Sequence, residues 1–237
     1  MKKFSSNKGK KLTIKIDGQS FARFPIRTCK VMPKDNLFQI IQKFVLSQVK
    51  HGDFLFISER VVAITQDRAY PIAKIKPSKL ANFLQKFVSK NPGGIGLASP
   101  WTMELALREV GSVRILFAAF VSAITKPFGA RGLFYRIAGR QAAAIDGPCS
   151  YTLPPYNKYA TLGPKNPNEV AAKIEKKFKI PTVIIDANDL GVDVLGVSSS
   201  KISKKWAEKV FADNPLGQSD QQTPMALVRK ARLQRYA

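Results

Sequence analysis

The stretch IPTVIIDANDLGVDVLGV, residues 180–197, holds two runs of strand character around a turn and carries three of the chain's few acids. Thr182 to Ile185 is a short, β-branched apolar run ending at Asp186, and Val192 to Val197 is a second. Just upstream, Asn166-Pro167-Asn168-Glu169 reads as a capping box for a helix that runs to about Lys179 and is stopped by Pro181. A helix feeding a buried-looking strand that ends on a carboxylate belongs to a fold in which strands and helices interleave.

Working outward, the same alternation continues. Leu12 to Ile16 has strand period, and Phe24 to Val31 is extended. Asp35 is expected to cap a helix with Leu37, Ile40, Ile41, Phe44, Val45 and Val49 facing inward, ended by Gly52. Phe54 to Ser58 is a strand that Val61 to Thr65 is expected to continue or pair with. Ser78 caps a helix to Lys90, Asn91 to Gly96 is a flexible loop, and Ser99-Pro100 starts a helix that ends near Gly111. Residues 113–125 are expected to be extended, and 126–140 and 147–167 to be loops. A helix from Ser203 to Ala212 and a strand from Met225 to Arg229 close the chain. The fold class is α+β or mixed α/β. Residues 1–11, with five Lys and no acid, read as a basic flexible arm, and 12–237 as a domain of two subdomains with 147–167 as the candidate linker.

Composition limits the chemistry. With 237 residues, 45% of them hydrophobic, the chain buries a sizeable core and is not disordered. Lys and Arg number 39 against 16 Asp and Glu, a net charge of +23 that draws anionic partners. Cys29 and Cys149 form no CxxC motif, and His51 is the single histidine, so a two-His metal site is not expected and a Ser-His-Asp triad would have only His51 to draw on. The longest uncharged apolar stretch, Ile115 to Thr125, is about half of what a membrane span needs. The basic N-terminus has no apolar segment after it, so a cytoplasmic protein without membrane contact is expected.

In an acid-poor chain the acids are informative. Glu169, Glu175 and Glu208 fall on helix faces, but Asp146, Asp186, Asp189, Asp193 and Asp220 fall at strand ends or in Gly-bearing turns. Such carboxylates, with Gln218, suit a hard cation such as Mg²⁺ or Mn²⁺. Between two apolar segments, Lys126, Arg131, Arg136 and Arg140 alternate with Gly129, Gly132 and Gly139, a composition suited to phosphate. Carboxylates for a metal and a Gly/Arg segment for phosphates are the parts of phosphoryl transfer. Neither a Walker motif nor GxGxxG is present.

Four segments in order, GDFLFISERVVAITQ (52–66), AAAIDGPCS around Asp146, PTVIIDANDLG around Asp186 and NPLGQSDQQTP around Gln218, resemble the F(420)-0:gamma-glutamyl ligase family of coenzyme F(420) biosynthesis, in its bacterial-type branch. The resemblance spans about residues 25 to 230. It implies a mixed α/β fold of two intertwined subdomains, a homodimer, and a GTP-dependent ligase that joins L-glutamate to an anionic carboxylate acceptor, F(420)-0 or one like it, through an acyl phosphate. Mg²⁺ or Mn²⁺ and a monovalent cation such as K⁺ assist. Asp146 and Asp186 match the catalytic metal carboxylates and Gln218 a third ligand. Pro25-Ile26-Arg27-Thr28 matches the nucleotide-binding loop and Ser58 a nucleotide contact. The family's Ser-Lys pair after that strand is replaced here by Val62 to Arg68, which leaves Arg60 as the nearby cation, with Arg131 from the Gly/Arg segment. The acceptor, and GTP against ATP, stay open. The alternatives are a nucleic-acid or polyanion binder, motivated by the basic termini, and a non-catalytic binder of an anionic metabolite on the same fold.

Overall fold

The computed structural model describes residues 5–88, 96–129, 132–188 and 191–231. It falls into two compact units, one of residues 1–67 and 164–237, the other of residues 68–163, so the second is inserted into the first.

In the first unit the strands are β1 (Thr13–Ile16), β2 (Gln19–Ile26), β3 (Phe54–Ser58), β6 (Thr182–Asn188), β7 (Gly191–Val197) and β8 (Met225–Lys230). The second unit holds β4 (Ala69–Pro71) and β5 (Tyr159–Thr161), which pair with each other. The six strands of the first unit form one sheet in the order β1-β2-β8-β3-β6-β7. β3 and β6 are parallel, with Leu55 opposite Thr182 and Ser58 opposite Ile185, and the other pairs are antiparallel. The fold is mixed α+β.

One sheet face is covered by α9 (Lys204–Val210). Phe56, Val183, Ile185, Val194, Ala226 and Val228 pack there against Ala207, Val210 and Phe211. Phe56 stacks on Phe211 with ring centroids 4.3 Å apart, and Trp206 lies 4.7 Å from Phe54. The helix α8 (Pro167–Phe178) lies so close to β7 that a Cβ on Gly196 would come within 2.5 Å of the Pro167 carbonyl carbon. Asn168 Oδ1 accepts the Val197 N–H at 2.9 Å beside that contact. Two arginines tie the sheet to flanking segments, Arg23 fully buried and Arg229 half-buried. Arg23 on β2 bonds Asp213 and donates to the Val210 carbonyl at 3.0 Å. Arg229 on β8 forms a two-pronged pair with Asp53.

The second unit packs α3 (Lys79–Leu84), α4 (Pro100–Val110), α5 (Ser112–Thr125), α6 (Leu133–Ala138) and α7 (Arg140–Ala143) around Leu84, Leu97, Met103, Leu107, Ile115, Ala118, Ile145 and Leu162. Ser78 and Ser99 accept N–H bonds from Ala81 and Thr102 as the expected caps. At its base, Arg68 donates to the Gly163 carbonyl at 2.6 Å and to Glu109 at 2.7 Å, and the Leu162 N–H donates to the Arg68 carbonyl at 3.0 Å.

Several expectations are corrected. Val61 to Thr65 is not a strand but most of α2 (Glu59–Thr65), because Val61, Val62, Ala63 and Ile64 bury together and outweigh their β-branched preference. Residues 113–125 are helical, with Ile115 and Ala118 inward. The expected loop 126–140 is helical over Leu133–Ala138, and 147–167 contains β5. The cap of α1 (Leu37–Phe44) is Asn36, whose Oδ1 accepts from Phe38 and Gln39, while Asp35 accepts from Met32. Asn166 adopts φ 47° and bonds the Glu169 carboxylate through its side chain, so the expected bond from its oxygen to the helix is not made. The loop expected at Asn91 to Gly96 lies, except for Gly96, outside the described residues.

Candidate functional site

Because β3 and β6 run parallel, their C-terminal ends meet at one sheet edge, and this places Ser58 beside the Ile185-Asp186 step. β8 lies antiparallel to β3, so its start comes to the same edge, where the Ser58 N–H donates to the Pro224 carbonyl at 2.9 Å. β2 lies antiparallel to β8, so its end at Ile26 and the following Arg27-Thr28 come there too. The Thr28 N–H donates to the Gln222 carbonyl at 3.1 Å, and Gln222 Nε2 donates back to the Thr28 carbonyl at 2.7 Å. Four segments distant in the chain thus share one edge. Open sheets with parallel central strands take ligands at the C-terminal ends of those strands.

The loop that carries Gln218 is shaped by its own bonds. Asn214 is fully buried, and the Gly217 N–H donates to its carbonyl at 3.2 Å. Thr223 Oγ1 donates to the Leu216 carbonyl at 2.7 Å. Asn7 Nδ2 reaches the Pro215 carbonyl at 2.8 Å, the Leu216 carbonyl at 3.0 Å and Thr223 Oγ1 at 2.8 Å, tying the N-terminal segment to this loop. Gly217 has φ +78°, a conformation that favours glycine, and a Cβ there would push the Gln221 side chain, 2.5 Å away, aside.

Asp186 is half-buried on β6, and Asp193 on β7 stands directly across from it. Opposite residues on an antiparallel pair have Cβ atoms about 5 Å apart, and two like charges in that position repel. A bulge in the β6–β7 pairing falls at Ile184 and Ile185, immediately before Asp186. Bulges bend a strand and re-aim the side chains that follow. A cation held between hard oxygen donors turns such a pair from a cost into an attraction, and the donor chemistry fits Mg²⁺ or Mn²⁺. Among the described residues, no group of three or more His, Cys, Asp and Glu gathers. Further donors would come from Gln218, backbone carbonyls or substrate.

Asp146 belongs to the second unit. Its backbone is clamped to Thr161 by bonds in both directions, at 2.9 and 2.8 Å, and its side chain is exposed. Lys126, Arg136 and Arg140 are exposed in the same unit, whereas Arg131 and Asp189 lie outside the described residues. In the first unit Arg27 is exposed, Thr28 buried, and Ser58, Arg60 and Gln218 half-buried. The expected site residues therefore divide between the units, with Arg27, Thr28, Ser58, Arg60, Asp186 and Gln218 in one and Asp146 in the other.

Two acids join this set: Asp193, which the sequence reading named among the candidate carboxylates without pairing it with Asp186, and Glu59, which it did not assign. Asp193 is brought to Asp186 by strand register, which spacing alone does not reveal. Glu59 is buried at the first turn of α2, directly after Ser58. The signal for Glu59 was present, since an acid stands between the apolar runs FLFI and VVAI in a chain with few acids.

The model of the F(420)-0:gamma-glutamyl ligase family matches residues 25–192. The chain belongs to that family. The match begins at the end of β2 and runs through both units to the start of β7, so it covers Arg27, Ser58, Asp146 and Asp186 and stops before the Gln218 loop. F(420)-0:gamma-glutamyl ligase membership makes the chain one of a family of ligases and connects it with F(420) biosynthesis. No curated protein matches the chain.

Proposed function

We propose that the chain joins L-glutamate to a carboxylate acceptor of the F(420)-0 type through an acyl phosphate, with GTP as the phosphoryl donor. The observation that carries this reading is the shared sheet edge of Arg27, Thr28, Ser58 and Asp186 within the matched family region. An acceptor carboxylate oxygen attacks the terminal phosphorus, the bridging P–O bond breaks and GDP leaves. The glutamate amine then attacks the acyl carbon, the C–O bond to phosphate breaks, and inorganic phosphate and the amine proton depart.

Each residue has a part in this reading. Arg27 and Arg60 hold the nucleotide phosphates as forked donors, with Thr28 and Ser58 as hydrogen-bonding partners. Asp186 and Gln218 would hold the divalent ion, with Asp193 adding a carboxylate opposite Asp186. When bound, the ion supplies positive charge against the negative charge that builds on the transferred phosphoryl oxygens. The +23 chain attracts the anionic nucleotide and acceptor. A cytoplasmic setting, a K⁺ requirement and a homodimer complete the proposal.

The test is calorimetric titration of GTP and ATP into the protein, with and without Mn²⁺, beside Asp186→Asn. Metal-dependent binding that falls at least about tenfold in the variant is expected. Phosphate release that requires both L-glutamate and the acceptor then identifies the reaction. Binding that ignores metal and mutation but collapses with added salt refutes the ligase reading, because it reports the basic surface alone.

A further inference from the structure

The ligase reading leaves the outer face of α5 without a role. Ile115 and Ala118 turn into the core of the second unit and are fully buried. On the opposite side Val113, Phe117, Phe120 and Ile124, spaced four, three and four apart, form one stripe. They are 84%, 57%, 63% and 50% exposed. Phe128, in the turn that follows the helix, extends the stripe at 86% exposure. A helix apolar on both faces belongs in an apolar surrounding on both faces, and a contiguous exposed patch of this kind marks an interaction surface.

Charge identifies what covers it. Residues 110–145 contain Arg114, Lys126, Arg131, Arg136 and Arg140 and no acid. Arg114, Lys126, Arg136 and Arg140 are exposed. A second copy seated on this face would be related by a two-fold axis, which sets the same patch against itself. These cations would then meet each other with no acid from residues 110–145 to pair with. An anionic bilayer supplies what the face lacks, namely hydrocarbon for the stripe and negative headgroups for the exposed cations that flank it in sequence. The helix has 14 residues and is about 21 Å long, and no helix among the described residues is long and apolar enough to cross a membrane.

We propose that this face of α5 docks the protein on an anionic lipid surface, lying in the plane of the interface. This departs from the expectation of no membrane contact, which rested on the lack of a spanning segment. It is independent of the ligase reading.

The experiment is co-sedimentation of the full chain with phosphatidylcholine vesicles containing about a third phosphatidylglycerol, and with phosphatidylcholine alone, at low and high salt. Binding to the anionic vesicles alone is expected, weakened by salt and by Lys126→Gln. The double variant Phe117→Ser/Phe120→Ser is expected to lose binding about tenfold or more while keeping its circular dichroism spectrum, since both side chains are exposed. Phe128→Ser, outside the helix, gives a second and smaller loss even if the double variant fails to fold. Absence of vesicle binding overturns the proposal. So does equal binding to neutral vesicles, or binding that the Phe variants leave unchanged. A concentration-dependent dimer that the Phe variants abolish, without vesicle binding, overturns it and assigns the face to a second copy.

Discussion

Asp53 occupies the turn that leads into β3, and removing its charge is expected to destabilise the whole sheet. Its Oδ1 accepts from Arg229 Nε and its Oδ2 from Arg229 Nη2, both at 2.6 Å, and Oδ2 also accepts the Lys50 N–H at 2.8 Å. The Asp53 side chain has no solvent exposure. Arg229 donates further to the Gln48 carbonyl at 3.3 Å and lies 5.0 Å from the centre of the Phe24 ring. Asp53→Asn keeps the shape but leaves the guanidinium charge in place with its counter-charge gone. Breaking one side of a buried ion pair costs about 3–5 kcal/mol. For a chain of this size that lowers Tm by about 6–20 °C. Arg229→Met in the same background removes the orphaned charge, so the double variant is expected to lose less than the sum of the single losses. Urea and thermal unfolding of the four proteins measure this cycle. Asp53 and Ser58 lie at opposite ends of β3, so nucleotide titration well below Tm should give wild-type affinity for Asp53→Asn. A loss under about 1 kcal/mol, or strict additivity in the double variant, would refute the reasoning.

Two further outcomes follow from the geometry. Burial works against the charge of Glu104, but the Ser78 amide and hydroxyl and the Arg108 guanidinium outweigh it and hold its carboxyl below the ordinary 4.5. Its contribution to stability is therefore complete above that value and lost as pH falls through the lowered one, so the gap in urea midpoint between wild type and Glu104→Gln should close on acidification. A gap independent of pH would count against it. Gly196→Ala would drive a Cβ into the Pro167-Asn168 backbone at 2.5 to 2.7 Å, so about 1–3 kcal/mol of destabilisation is expected in chemical denaturation. An unchanged midpoint would show that α8 can shift without cost.

Much of the local structure was legible because it is written in local chemistry. Ser78 and Ser99 each cap a helix with a hydroxyl, and the apolar runs at Phe54 to Ser58 and Thr182 to Ile185 are strands. The helix α5 was misread for a physical reason. Helical period shows only where polar residues interrupt the apolar ones, and SVRILFAAFVSAIT is apolar on its exposed side as well as its buried side. Val61 to Thr65 was misread because single-residue preference for strand yields to burial of the whole segment. At the candidate site, Asp186 was singled out from its place at a strand end, and Ser58 from the resemblance to the family. What could not be read was the insertion of β8, near the end of the chain, between β2 and β3. That single step brings Thr28, Gln222 and Ser58 to one edge, and no spacing in the sequence encodes it.

The sheet order also sets a schedule for the growing chain. β3 is made early, but both of its neighbours, β6 and β8, are made only after the inserted unit. At about 5–20 residues per second, the roughly 130 residues from Leu55 to its partner Thr182 take about 7 to 26 s to synthesise. During that interval β3 exposes two unpaired edges, the kind of template on which nascent chains pair wrongly. The insert has its own remedy for waiting. The bond from Leu162 to Arg68 and that from Arg68 to Gly163 join its first and last residues, so it can close around its own core as soon as Gly163 is available. Closure replaces about a hundred residues of the tether between β3 and β6 by the span of one hydrogen-bonded pair, which lowers the entropic cost of completing the sheet.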